Sequence, residues 1–167
     1  MVMIRFDVND SRLRDEFLND SFPNALLGLG EHTAPLWGSM TAQHMVEHLM
    51  WTFQCSTGKI TLSCHTPEHL LDRVKTFLYD NRVTPKYFKN PVLTDQLEPY
   101  RFPSFAVALE AVRAELNCFL EAYRLDPAAI HTHPLFGPIQ GDQWHRAHFK
   151  HAYHHMLQFN LIAMPSL

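Results

Sequence analysis

A histidine-rich segment near the end of the chain constrains the fold most strongly. Seven of the twelve histidines lie between residues 131 and 155, and the densest run is WHRAHFKHAYHHMLQ, residues 144–158. Helical spacing would bring one set of these residues onto a single stripe facing the core: Trp144, His148, His151, His155 and Gln158. Burying polar groups costs free energy unless they are paired, so the stripe predicts bound metal.

Length and composition predict one globular domain covering residues 1–167. Hydrophobic residues make up 46% and charged residues 19%, which excludes the disordered class. A net charge of −3 gives no basic surface, so we expect no nucleic-acid partner. We also expect no membrane association, because no apolar run approaches the roughly 18 residues of a membrane span. The three scattered cysteines form no CxxC pair, and the charged first 17 residues do not resemble a signal peptide. These features predict a cytoplasmic protein.

Apolar periodicity and capping signals predict an all-α fold. The predicted helices cover residues 10–19, 41–57, 66–80, 104–126 and 142–163. Thr41 and Ser104 are the expected N-caps of the second and fourth helices. The loop over residues 22–39 is rich in Pro and Gly, and residues 82–103 contain four prolines, which predicts an irregular excursion. No segment has the pattern of a strand.

Histidine pairs one turn apart can offer two imidazoles to one ion. About one such pair is expected by chance, and the chain has three, at 44/48, 65/69 and 151/155. Two imidazoles leave a tetrahedral ion short of ligands, so a third must come from another helix. The second helix offers His48, and the predicted metal ligands are therefore His48, His151 and His155. Three imidazoles leave a position for water or substrate, which is typical of catalytic sites.

Other residues near these ligands stay open as alternatives. His44 lies one turn before His48 and could replace or support it. His148 shares the stripe of the 151/155 pair and is a further candidate ligand, although we expect it to line a pocket or support a ligand. Gln158 could donate a hydrogen bond to a ligand or to bound solvent. Glu47 is expected to point away from His48.

Two separated motifs resemble a DinB-like branch of small bacterial proteins. The first is PLWGSMTAQHMVEHL, residues 35–49. The second combines HPLFGP, residues 133–138, with Trp144 and with HAYHHMLQF, residues 151–159. The helix between them, which contains LNCFL at residues 116–120, has a similar spacing. The motifs occur in the same order as in that branch.

The resemblance implies a DinB-like four-helix bundle, with an extra helix and the irregular excursion between the second and third bundle helices. It implies a divalent metal bound by His48 from the second bundle helix and by His151 and His155 from the fourth. Nickel or zinc is the expected ion, and iron is also acceptable. By analogy with relatives, a homodimer is expected. The chain differs from related proteins in having His44 where they often have glutamine. It also has an insertion-like region over residues 60–103, which suggests a pocket cover.

Two classes of function fit these features. The first is a metal-dependent enzyme, a thiol transferase or a hydrolase. Its three-histidine site would activate a thiol or water toward a small electrophilic substrate. Relatives in the DinB-like superfamily use a low-molecular-weight thiol in this way. The alternative is a non-catalytic metal-binding or stress-related helical-bundle protein. No dedicated nucleophile or phosphate-binding loop identifies the substrate further.

Overall fold

The computed structural model describes residues 2–88 and 97–165, and this part of the chain is mostly helical. The helices are α1 (Ser11–Glu16), α2 (Phe22–Leu27), α3 (Ala42–Ser56), α4 (Leu71–Lys75), α5 (Phe105–Leu125) and α6 (Gly141–Gln158). A π-helical turn, Phe17–Ser21, joins α1 to α2, and the 3₁₀ turns Glu68–Leu70 and Thr76–Leu78 flank α4. The short strands are β1 (Val2–Met3), β2 (His131–His133), β3 (Gly137–Ile139) and β4 (Ile162–Ala163).

Helices α3 and α5 begin and end where the sequence predicts. The Thr41 hydroxyl accepts a hydrogen bond from the backbone N–H of His44 at 3.2 Å, and Ser104 caps α5 in the same way. After α3, Gly58 adopts a φ of 74°, which lets the chain leave the helix. Local capping and apolar periodicity therefore account for both helices.

The first helical segment is longer than the predicted 10–19. It continues through the π-helical turn and α2 to Leu27, into residues predicted to form a loop. Pro23 lies in the first turn of α2, where its missing N–H costs little. Phe22 and Leu26 are fully buried, so packing against the core keeps this segment helical.

The region predicted as one helix over residues 66–80 is instead α4 with a 3₁₀ turn at each end. Leu78 is the one buried residue in these three pieces, so no apolar stripe stabilises a longer helix. Residues 82–88 and 97–103 contain neither helix nor strand, as the prolines predict. The remaining part of that predicted excursion, residues 89–96, lies outside the described residues.

Two further predictions were wrong: the end of the last helix and the absence of strands. Helix α6 ends at Gln158 instead of continuing to residue 163, because Asn160 adopts a φ of 55° and turns the chain. Strands also occur where none were predicted: β4 pairs in parallel with β1, and β2 pairs with β3 as an antiparallel hairpin. Strands of two or three residues are too short for an alternating pattern to be visible in the sequence.

The buried core lies between the long helices. Helix α3 packs along α5, and α6 contacts α1, α2 and α3. The largest fully buried side chains include Trp144, Tyr153, Phe17, Phe22, Phe53, Phe119, Phe149 and Phe159. Within the described ranges, none of the helices has the length and hydropathy needed to span a membrane. This packing brings together α3 and α6, the two helices that carry the predicted ligands.

Candidate metal centre

The three predicted ligands meet between α3 and α6. The Nε2 atom of His151 lies 2.8 Å from Nε2 of His48 and 3.0 Å from Nε2 of His155. The ligand nitrogens of the three residues all lie within 4.8 Å of one another. Imidazole nitrogens bound at about 2.0–2.1 Å to a tetrahedral ion are about 3.3 Å apart. The group therefore has nearly the spacing that a shared metal ion requires.

Hydrogen bonds alone do not explain why these nitrogens converge. In the plane of its ring, a neutral imidazole Nε2 carries either one proton or one lone pair. The Nε2 atom of His151 therefore cannot form two well-directed bonds at once, to His48 and to His155. Three lone pairs directed at one cation would satisfy all three nitrogens. The chemistry of this donor set fits a divalent transition metal.

Gln158 fixes the orientation of His155. Its side-chain Nε2 donates to the carbonyl oxygen of Trp37 at 2.8 Å. Its Oε1 is then left to accept from Nδ1–H of His155, at 2.7 Å. With the proton on Nδ1, the Nε2 lone pair of His155 faces the other two histidines. Gln158 was expected to donate to a ligand or to solvent; it accepts from a ligand residue instead.

A glycine leaves room for this amide. Gly38 follows Trp37 in the chain and adopts a φ of 80°, a conformation that other residues rarely adopt. A Cβ atom at this position would lie 3.0 Å from Nε2 of Gln158. The glycine in the first DinB-like motif therefore has a structural explanation in this chain.

Burial keeps the three imidazoles neutral. Desolvation lowers the pKa of His48 to about 4, and electrostatic repulsion from His154 and Arg101 lowers it further. Desolvation also lowers the pKa values of His151 and His155 well below the usual value. At neutral pH the imidazoles hold no extra proton, so their lone pairs are available to a metal ion.

His44 stands apart from the three-histidine group. Its Nδ1 lies 2.8 Å from the Thr41 hydroxyl, and its Nε2 lies 3.0 Å from the carbonyl oxygen of Glu98. Both ring nitrogens thus have partners at the start of α3, where His44 supports the helix cap. The third pair, His65 and His69, is exposed and also lies outside the group.

His148 lies on the same stripe of α6 as the two predicted ligands, His151 and His155, but its ring packs among aromatic side chains. The ring centroids of Phe53 and Phe119 lie 4.4 and 4.5 Å away, and Trp144 stacks at 5.4 Å. Within the described residues its Nε2 has no hydrogen-bond partner. Burial lowers the pKa of His148 well below the usual value. His148 lines the cavity beside the group, as expected, and is not one of the three converging residues.

Glu47 has a role that sequence reasoning missed. Its carboxylate accepts hydrogen bonds from the backbone N–H groups of Arg101 at 2.8 Å and Phe102 at 3.2 Å. It also accepts from the side chain of Gln43 at 2.9 Å. These bonds attach α3 to the segment that leads into α5. No local signal reveals this role, because the backbone partners lie more than 50 positions away in the sequence.

The three-histidine group forms part of the wall of a cavity of about 730 Å³. The rest of the wall is mostly apolar and includes Trp37, Trp51, Leu62, Phe77, Leu135 and Phe136. A cavity of this volume, with apolar walls and a few convergent polar groups, is typical of small-molecule sites. The imidazoles are thus accessible to a ligand in the cavity, rather than enclosed in the core.

Comparisons with protein-family models, with curated proteins and with solved structures found no match to this chain. The resemblance to DinB-like proteins therefore remains a prediction based on the two sequence motifs. The chemistry of the cavity and of its three histidines is the basis for inferring function.

Proposed function

We propose that this protein is a metal-dependent enzyme in which His48, His151 and His155 bind a divalent transition metal. The observation that carries the proposal is the convergence of three neutral imidazoles at the wall of a small-molecule cavity. Nickel, zinc and iron all accept imidazole ligands, and the resemblance to DinB-like proteins favours nickel or zinc among them.

We propose further that the fold is a DinB-like four-helix bundle. Its four helices would be the α1–α2 segment, α3, α5 and α6, with α4 as the extra helix. The order of these elements supports this assignment, as does the origin of the three histidines in α3 and α6. Residues 60–103 would provide the pocket cover, and their described part contributes Leu62, Val74 and Phe77 to the cavity wall.

A divalent ion in such a site acts as a Lewis acid that lowers the pKa of a thiol or water beside it. The protein's own residues prepare the site for this chemistry. The three imidazoles are neutral and leave the charge of the ion intact, and Gln158 orients His155. The apolar wall excludes bulk water and seats the substrate. We propose that the reaction is transfer of a low-molecular-weight thiol to a small electrophile, or hydrolysis of that electrophile.

The alternative function is non-catalytic metal binding, for example in a stress-related protein. Structural zinc sites are usually closed by four protein ligands. In the described residues, the group contains no fourth His, Cys, Asp or Glu side chain. This ligand count favours the catalytic proposal over the structural one.

A screen for activity tests the proposed function. Zinc- and nickel-loaded protein is combined with glutathione or bacillithiol and a set of small aryl and epoxide electrophiles. We expect metal-dependent consumption of one electrophile, lost on chelation and in His151→Ala but retained in His69→Ala, which changes an exposed histidine. Bound metal without turnover in any combination of thiol, water and electrophile would favour the non-catalytic alternative.

We propose that the protein forms a homodimer, by analogy with the DinB-like proteins that its two motifs resemble. Size-exclusion chromatography with light scattering tests this assignment. The proposal predicts twice the 19.4 kDa mass of the chain. A monomeric mass at all tested concentrations would contradict it.

A further inference from the structure

The charged side chains of the cavity identify the class of its ligand. The described part of the wall includes two cationic side chains, Arg73 and Lys150, and no Asp or Glu side chain. The wall also contains the Cys55 thiol. Burial raises the pKa of this thiol to about 12, so it adds no negative charge. A cleft with apolar walls and charge of one sign concentrates ligands of the opposite sign. The cavity is thus suited to anions.

Lys150 contributes a buried positive charge. The residue is 2% exposed, and its Nζ donates to the carbonyl oxygens of Asp80 and Arg82, each at 2.6 Å. The two carbonyls satisfy hydrogen bonds but carry no net charge. The nearby Asp80 carboxylate is paired with the Arg82 guanidinium. The Asp80 carboxylate is thus matched by Arg82, and the charge of Lys150 has no carboxylate partner of its own among the described residues.

Arg73 contributes a guanidinium that a ligand can reach. It lies on α4, is exposed to solvent and lines the cavity. No carboxylate of the described residues lies within ion-pair distance of it. The planar fork of a guanidinium matches a carboxylate or sulfonate and can donate two parallel hydrogen bonds.

We propose that the cavity binds small molecules that combine an aromatic or otherwise apolar body with an anionic oxygen acid, and that Arg73 pairs with the anion. The body would pack against Trp51, Phe77 and Phe136, while Lys150 adds long-range attraction. The inference deepens the proposed function and rests on it for the role of the bound molecule as substrate. The binding preference itself depends only on the cavity and its charges.

Two fluorescent probes of nearly the same shape test this preference. 1-Anilinonaphthalene-8-sulfonate is anionic, whereas N-phenyl-1-naphthylamine has the same body without the sulfonate. The full chain is titrated with each probe at pH 7 and low ionic strength. We expect Arg73→Gln to weaken binding of the anionic probe roughly five- to tenfold and to change binding of the neutral probe less than about twofold. Arg73→Lys should fall between wild type and Arg73→Gln.

Arg124→Gln is the matched control, because Arg124 is an exposed arginine at the end of α5 and is not part of the cavity wall. It should leave both affinities unchanged. Equal effects of Arg73→Gln on the two probes, or no effect on either, would overturn the inference. An equal loss of the anionic probe in Arg124→Gln would also overturn it, because the preference would then reflect net charge alone.

The probe titrations are repeated on metal-free and zinc-loaded protein and are combined with the turnover screen described above. The two measurements together separate this inference from the proposed function. Arg73-dependent binding of the anionic probe, together with absence of turnover, would support the inference and contradict the enzyme proposal. Metal-dependent turnover with no effect of Arg73→Gln on either probe would overturn the inference and leave the enzyme proposal standing.

Discussion

Nδ1 of His155 lies 2.7 Å from Oε1 of Gln158, and this contact determines which nitrogen of His155 faces His48 and His151. The Gln158 amide is itself oriented by its bond to the Trp37 carbonyl. These two hydrogen bonds connect the loop before α3 to the end of α6, and they direct the Nε2 lone pair of His155 toward His151. The arrangement of the three histidines therefore depends on this support from Gln158 as well as on the helices that carry them.

Replacing Gln158 should weaken metal binding while leaving the ligands in place. In Gln158→Leu, Nδ1 of His155 loses its acceptor, and the imidazole is no longer held in one tautomer. We expect a loss of affinity for zinc of about 10- to 100-fold, measured by competition with a chromophoric chelator. Gln54→Leu, which changes a glutamine of α3 that bonds to Glu115 away from the site, is the control. Equal affinities in Gln158→Leu and wild type would show that the amide does not orient the ligand.

Gly38→Ala should perturb the same support from the other side. The φ of 80° disfavours alanine, and the new Cβ would lie 3.0 Å from Nε2 of Gln158. We expect the free energy of unfolding to fall by about 1–2 kcal/mol, measured by urea denaturation. Gly28→Ala is the control, because Gly28 has an ordinary φ of −83° and should change stability by less than about 0.5 kcal/mol. Equal effects of the two substitutions would contradict this explanation of Gly38.

Glu47→Ala should destabilise the fold without removing a metal ligand. The substitution leaves the backbone N–H groups of Arg101 and Phe102 without their acceptor. We expect a loss of about 2–4 kcal/mol in the free energy of unfolding, with metal content per folded chain unchanged. Glu110→Ala, which changes an exposed glutamate of α5, should have little effect. Loss of metal from folded Glu47→Ala protein would instead indicate a role for this carboxylate in the site.

Stability should decrease as the pH falls below about 6.5. Desolvation lowers the pKa of His133 to about 3, whereas a histidine in the unfolded chain titrates near 6.5. Between these two values the unfolded chain binds a proton that the folded protein excludes, so the free energy of unfolding decreases with falling pH.

His133→Asn isolates this contribution. An asparagine Oδ1 can replace Nδ1 of His133 as the acceptor for the N–H groups of Leu135 and Phe136. Urea denaturation at pH 7, 6 and 5 should show a shallower dependence on pH, by up to one proton, in His133→Asn than in wild type. His69→Asn, which changes an exposed histidine, is the control and should keep the wild-type dependence of the free energy of unfolding on pH. A slope unchanged in His133→Asn would contradict the pKa assigned to this residue.

Features that depend on nearby residues could be predicted from the sequence. Thr41 and Ser104 mark the starts of α3 and α5 because a cap acts within one turn. The pairing of His151 with His155 follows from helical spacing alone. The second helix offers two histidines, His44 and His48, and the resemblance to the DinB-like motif favours His48. The structure brings His48, and not His44, to the other two.

Features that depend on distant parts of the chain could not be predicted. Strand β1 forms by pairing with β4, about 160 positions away in the sequence. Neither segment has a strand pattern by itself. The bonds of Glu47 and the position of Arg73 at the cavity likewise depend on how distant segments pack. The early end of α6 is instead a local feature, because Asn160 adopts a positive φ, a conformation that asparagine adopts more readily than most residues.

Elemental analysis of protein purified without an affinity tag tests whether His48, His151 and His155 bind a metal ion. We expect about one nickel, zinc or iron ion per chain in wild type and in His69→Ala. In His151→Ala we expect less than about one tenth of that content, with helicity retained in circular dichroism. Full occupancy in His151→Ala, or no binding of nickel or zinc by the wild-type protein, would contradict this assignment.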